Sequence, residues 1–120
     1  MARKVIETLL QEGFRYLSKK EKKADPECEV VRELERKTED GIEKIKTLGV
    51  SVKETAKLTS DSAKDGIIVE TLYKIVSLKN GRHVKGGYFS LSQEKEFPPS
   101  ATETDIVNYV NSKEPTRVNF

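Results

Sequence analysis

The chain has one cysteine, one histidine and one methionine among its 120 residues, and only two glutamines, Gln11 and Gln93. A single thiol, Cys28, excludes an intramolecular disulfide framework and points to a reducing, cytoplasmic compartment. A zinc site of the cysteine/histidine type needs three or four ligands at fixed spacing, and Cys28 and His83 alone cannot supply them. The carboxylates alternate with lysines and follow no calcium-loop pattern, so neither a metal nor a cofactor is expected. Long apolar runs are also lacking. None approaches the ~20 residues that span a bilayer, so no membrane partner is expected. The first residues, Met1-Ala2-Arg3-Lys4, lead into an amphipathic helical pattern rather than a secretory core with a small-residue cleavage site.

Net charge is scarce as well. The 22 basic and 20 acidic residues leave +2, which excludes a histone-like basic binder and an acidic tail protein. The balance hides blocks of alternating sign. Residues 1–24 carry seven basic and three acidic groups, residues 25–49 five and eight, and residues 50–65 three of each. Residues 66–92 carry four and one, and residues 93–120 three and five. Hydrophobic residues make up only 35%, yet they recur periodically, which favours a folded domain; 120 residues suffice for one core.

Catalytic constellations are missing too. Cys28 is flanked by Glu27 and Glu29, which oppose thiolate formation, and no oriented base is close to it in sequence, so an inert thiol is expected. Gly81 and Gly86 have the spacing that opens a phosphate loop. Gly87-Tyr88 follows, however, where a lysine and a hydroxyl residue are needed. An enzyme is not expected.

What the chain does contain reads as a single α+β domain over residues 1–120. Ile6, Leu9, Leu10, Gly13, Phe14 and Leu17 form a helical stripe, with Lys19, Lys20, Lys22 and Lys23 at its C-terminal end. Asp25-Pro26 breaks it, and Asp25 is placed to cap a second helix. In that helix Val31, Leu34, Thr38, Gly41 or Ile42, Ile45 and Leu48 recur every three or four residues until Gly49. Residues 1–49 are therefore expected to form an antiparallel helical hairpin, its basic and acidic members paired. Residues 50–65 form a polar connector with a short helix around 53–58.

Residues 66–92 read as a β-hairpin around Asn80-Gly81, a type I′ turn signal. An unbroken register sets Lys79 opposite Arg82, Ser77 opposite Val84, Ile75 opposite Gly86 and Tyr73 opposite Tyr88. Ile68, Leu72, Val76, Leu78, Phe89 and Leu91 then form the face expected to pack on the helices. Gly86 and Gly87 mark a bulge or relieve crowding. In residues 93–120, Ser100 and Glu103 make a capping box for a short helix through Ile106, Val107 and Val110 that Pro115 closes, and residues 116–120 are a candidate further strand. The expected architecture is a helical hairpin packed on a small antiparallel β-hairpin or sheet, with a short C-terminal helix. The alternative is a winged-helix-like core in residues 51–92, with residues 62–76 as recognition helix; it costs a glycine, Gly66, inside that helix.

Two functions fit this architecture. The first is a non-enzymatic interaction or adaptor protein acting through protein–protein contacts with another protein or with itself. The second is a nucleic-acid binder. Lys74, Lys79, Arg82, His83 and Lys85 are interleaved with Tyr73 and Tyr88, so the hairpin offers cations for phosphates and rings for unpaired bases. The plainer account of the same residues is that the cations keep a hairpin tip soluble and the tyrosines are half-buried packing.

Overall fold

The computed structural model describes residues 2–55 and 66–113. Helix α1 (Ala2–Gln11) is followed by strand β1 (Arg15–Tyr16), helix α2 (Lys19–Ala24), strands β2 (Val30–Glu39), β3 (Ile42–Thr55), β4 (Gly66–Lys79) and β5 (Arg82–Phe97), and helix α3 (Glu103–Ser112). The strands form one antiparallel sheet in chain order, β1 to β5.

The helical hairpin expected over residues 1–49 does not form. Residues 30–39 and 42–55 are two strands of a long hairpin, joined at Asp40-Gly41. Both turn residues have positive φ, 47° and 76°, the geometry that Asn80 (53°) and Gly81 (78°) adopt in the second hairpin. This is the type I′ preference for Asn/Asp followed by Gly, and it prevails over the helical spacing of Val31, Leu34, Ile45 and Leu48. Strand alternation explains residues 48–52 better: Leu48, Val50 and Val52 are buried on one face, while Gly49 and Ser51 turn to the other. The winged-helix alternative fails for a related reason. Residues 66–79 are a strand, paired with β3 from Thr55↔Gly66 to Glu43↔Leu78, as a dense β-branched run prefers. Residues 53–55 continue β3 rather than starting a helix, whereas residues 56–65 and the suggested strand at 116–120 lie outside the described residues.

The first helix is shorter than its apolar stripe. It stops at Gln11, and Gly13 turns the chain at φ 94°, which tucks Phe14 into the core. The four lysines sit on a separate helix, α2, whose N-cap Ser18 forms a reciprocal capping box with Glu21. Asp25 closes α2 instead of opening a helix. The cap of α3 is Thr102 with Asp105, two residues beyond the expected pair. Its apolar face is as expected, with Ile106, Val107 and Val110 buried.

The core lies between one face of the sheet and two helices. Val5, Ile6 and Leu9 of α1 and the apolar face of α3 cover Val30, Leu48, Val50, Val52, Ile67, Val69 and Phe97. Each fully buried aliphatic contributes about 1.5–3 kcal/mol relative to exposure. Arg32 ties the layers together: its guanidinium lies 4.4 Å from the Phe14 ring centroid and donates to the Glu12 carbonyl at 3.2 Å and to Asn111 Oδ1 at 3.5 Å. Both helices sit at the Thr55/Gly66 end of the sheet. The two β-turns project away from them, and the molecule measures 57 × 23 × 23 Å.

The second hairpin carries the bulge expected at Gly86-Gly87. Lys79 pairs with Arg82 and Leu78 with His83, but the next regular pair is Val76↔Tyr88. Residues 84–87 of β5 are thus accommodated opposite Ser77 alone. Gly86 has φ 77°, and a Cβ on Gly87 would fall 2.6 Å from that of Ser77. The slip is three residues, an odd number, so it exchanges the faces of everything beyond it. Tyr73 pairs with Leu91 and Ile75 with Phe89, not with Tyr88 and Gly86. The helices pack on the Val69 and Tyr73 face of β4, not on the expected Leu72 and Val76 face, and the slip brings Phe89 and Leu91 to that same side.

Candidate interaction surface

Beyond the helices the core continues as an uncovered strip. Cross-strand pairing makes a row of Leu48, Tyr73 and Leu91, and a second of Lys46, Ile75 and Phe89. The inner ends of these rows are covered: Leu48 is buried, Tyr73 packs against the core, and buried Lys46 reaches Glu35 at 3.1 Å. At their outer ends Phe89 is 53% and Leu91 48% exposed. Both belong to β5, the last strand of the sheet, whose other edge has no strand beside it among the described residues. Edge strands are commonly protected by charge, proline or a bulge. On β5 the bulge and Lys85 protect one end, and Glu94, Lys95 and Glu96 the other. Residues 88–93 between them (Tyr-Phe-Ser-Leu-Ser-Gln) carry no charge.

On the opposite face a groove of about 300 Å³ runs between α2 and the β4–β5 turn. Ile45, Val76 and Leu78 form its floor, and Lys20, Lys74 and His83 stand along it. Lys74 is already engaged. Its ammonium lies 2.6 Å from Asp25 and 5.0 Å from the Tyr88 ring centroid. Burial is the largest single influence and would lower the Lys74 pKa, but the hydrogen bond and charge of Asp25, together with Tyr88, hold it above its ordinary value. Arg15 anchors α2 by a two-pronged bond to Glu21, and that bond holds the Glu21 carboxyl down to about 2.

The structure divides the residues named as a nucleic-acid candidate set. Tyr73 turns to the helix side, whereas Lys74 and Tyr88 share the other face, on which His83 borders the groove. Lys79 and Arg82 stand opposite each other beside the turn, and Lys85 is exposed within the bulge. Tyr73 and Tyr88 therefore do not form a joint stacking platform. The exposed patch that sequence reasoning missed is Phe89 with Leu91, which it had assigned to the core. They do lie on the helix side, but past the reach of α1 and α3, and no local signal in the sequence marks where that cover ends.

Cys28 is buried ahead of β2, with its Sγ 3.4 Å from the Val30 carbonyl oxygen. Burial pushes the thiol up to about 11, which suppresses the nucleophilic thiolate. It borders a cavity of about 230 Å³ shared with Asp25, Gly49, Ser51 and Glu70. His83 is not brought to it. Cys28 packs at Gly49, which pairs with Leu72, six strand positions or roughly 20 Å from the Leu78 that pairs with His83. Among the described residues no group of three or more His, Cys, Asp or Glu side chains is arranged to hold a metal ion, and no helix is long and apolar enough to cross a membrane. Comparison of the chain with protein families, with curated proteins and with solved structures finds no match.

Proposed function

We propose that the protein is a non-enzymatic interaction or adaptor protein of the cytoplasm, acting through protein–protein contacts, and that the open edge of β5 is its contact surface. One observation carries this reading: residues 88–93 are an uncharged stretch of edge strand with Tyr88, Phe89 and Leu91 about half exposed. Such an edge offers main-chain hydrogen bonds for an added strand, and side chains on both faces give that strand its specificity. A photo-crosslinking residue at Leu91 tests it, with one at Asn108, exposed on α3, as control. The expected result is a discrete protein adduct from position 91 and none from position 108. Equal labelling from both positions contradicts it.

The nucleic-acid reading retains one supporting observation: Lys79, Arg82, His83 and Lys85 are all exposed at the β4–β5 turn. It predicts binding to single-stranded oligonucleotides that weakens steeply with salt and disappears when Lys79, Arg82 and Lys85 are changed to Glu. The absence of binding at low salt rejects it.

A further inference from the structure

The open edge of β5 is complementary to itself. We propose that it binds a second copy of this chain, β5 against β5 in antiparallel orientation, about a twofold axis at Ser90; this rests on the reading of β5 as the contact surface. Directly opposed residues of an antiparallel pair point to the same face. An axis at Ser90 therefore sets Phe89 opposite Leu91 of the second copy, and Leu91 opposite its Phe89, both on the helix side. Tyr88 falls opposite Ser92 on the other side. The apolar rows ending at Leu91 and Phe89 then continue into the second molecule instead of stopping at solvent.

Charge selects the orientation. One end of β5 carries Arg82 and Lys85, and the other carries Glu94 and Glu96 beside Lys95. Antiparallel pairing lays the basic end of each copy alongside the acid-bearing end of the other, whereas parallel pairing sets like charges side by side. The helices leave the edge clear. Tyr109 packs edge-on to Phe97, and Asn111 reaches Arg32 on β2, so α3 runs inward across the sheet. The bulge at residues 84–87 ends the ladder at one side and, by symmetry, at the other. The paired stretch is therefore residues 88–92, roughly 17 Å long. The contact is isologous and closes on itself. The other long edge, along β2, carries Glu33, Glu35, Arg36, Lys37 and Glu39 and does not continue the array. A contact this short lies below the standard interface size, so the dimer should dissociate on dilution.

Sedimentation velocity of the full chain over a wide concentration range is the test, joined to cysteine cross-linking. The expected result is a rapid monomer–dimer equilibrium that Leu91→Lys weakens at least about tenfold. At concentrations where both chains are monomeric the melting curve of that variant should match the parent's, because Leu91 is 48% exposed. Under mild oxidation Ser90→Cys should give a disulfide-linked dimer. Glu94→Cys should not, since its two copies would stand eight strand positions apart, about 26 Å. Any of four results overturns the proposal. These are a monomer at every concentration with no Ser90→Cys cross-link, equal cross-linking from positions 90 and 94, a dimer that Leu91→Lys leaves intact, and a monomeric full chain that dimerises only once residues 114–120 are removed. If the purified chain stays monomeric while position 91 captures a different protein, the second copy is excluded and β5 remains the contact surface. If position 91 captures nothing in either setting, both readings fall.

Discussion

At the scale of single residues, Gly49 marks the closest approach between the sheet and the segment that leads into β2. A Cβ placed there would lie 2.7 Å from Cys28 Sγ, with Leu72 the next neighbour at 3.7 Å. Gly49→Ala should destabilise the protein by about 1–3 kcal/mol through overpacking. Cys28→Ala in the same chain should recover much of that loss, because the obstructing sulfur is gone. A denaturant-melt cycle of the four variants measures the coupling, and strictly additive losses contradict the account. Lys74 and Asp25 make a second residue-scale test, since their side chains are only 15% and 19% exposed. Lys74→Met strands a part-buried carboxylate and should cost about 1–3 kcal/mol, whereas adding Asp25→Asn should restore part of it. Neither contact was legible in the sequence, where Gly49 looks like a helix stop and Asp25 a helix start. Asp25 does cap, at the end of α2, but Gly49 lies inside β3, and local signals cannot say that residues 28 and 49, or 25 and 74, meet across the fold.

At the scale of elements, the two hairpins were unequally legible. Asn80-Gly81 announces its turn because the flanking residues, Ile75 to Lys79 and Arg82 to Lys85, offer no competing helix. Asp40-Gly41 carries the same chemistry, but Val31, Leu34, Ile45 and Leu48 happen to match helical spacing, and abundant Glu and Lys are good helix formers. Tertiary pairing with β4 decides the matter. Gly41→Val, at a residue with φ 76°, should therefore destabilise the protein by about 1–2 kcal/mol, read in a thermal melt. A larger effect of the same change at Lys37, on the strand interior, would contradict the turn assignment. Helix α2 adds an acid-sensitive element. Arg15 holds Glu21 at about 2, below its ordinary 4.5. The stabilisation is complete above pH 4.5 and is lost as pH falls from about 4.5 to about 2, because the unfolded chain takes up the proton first. Glu21→Gln should flatten that part of the stability profile in acid titrations followed by circular dichroism. An unchanged profile would show that the bond contributes nothing.

At the scale of the whole molecule, which is 57 Å long, the helices cover one end of one face of the sheet. That arrangement explains why a chain with 35% hydrophobic residues still exposes Phe89 and Leu91, which lie on the core face but past the reach of α1 and α3. An α+β single chain with a C-terminal amphipathic helix and a bulged second hairpin was legible from composition and turn chemistry. The five-stranded sheet was not, since half of it is built from segments whose apolar spacing suits helix and strand alike. The basic cluster was legible as a composition but not as a surface, because a three-residue slip moved Tyr73 and Tyr88 to opposite faces. The same slip sets Phe89 and Leu91 on the helix side beside Ile75 and Tyr73, and the short reach of α1 and α3 leaves them as the exposed patch on which the functional reading stands. Amide hydrogen exchange of the full chain, measured at low and high protein concentration, tests that reading most directly. The outward-pointing amides of residues 88–93 should slow as concentration rises, while those at the Asp40-Gly41 turn should not change. Exchange across residues 88–93 that stays fast at every concentration, and in the presence of any protein captured at Leu91, would contradict β5 as the contact surface.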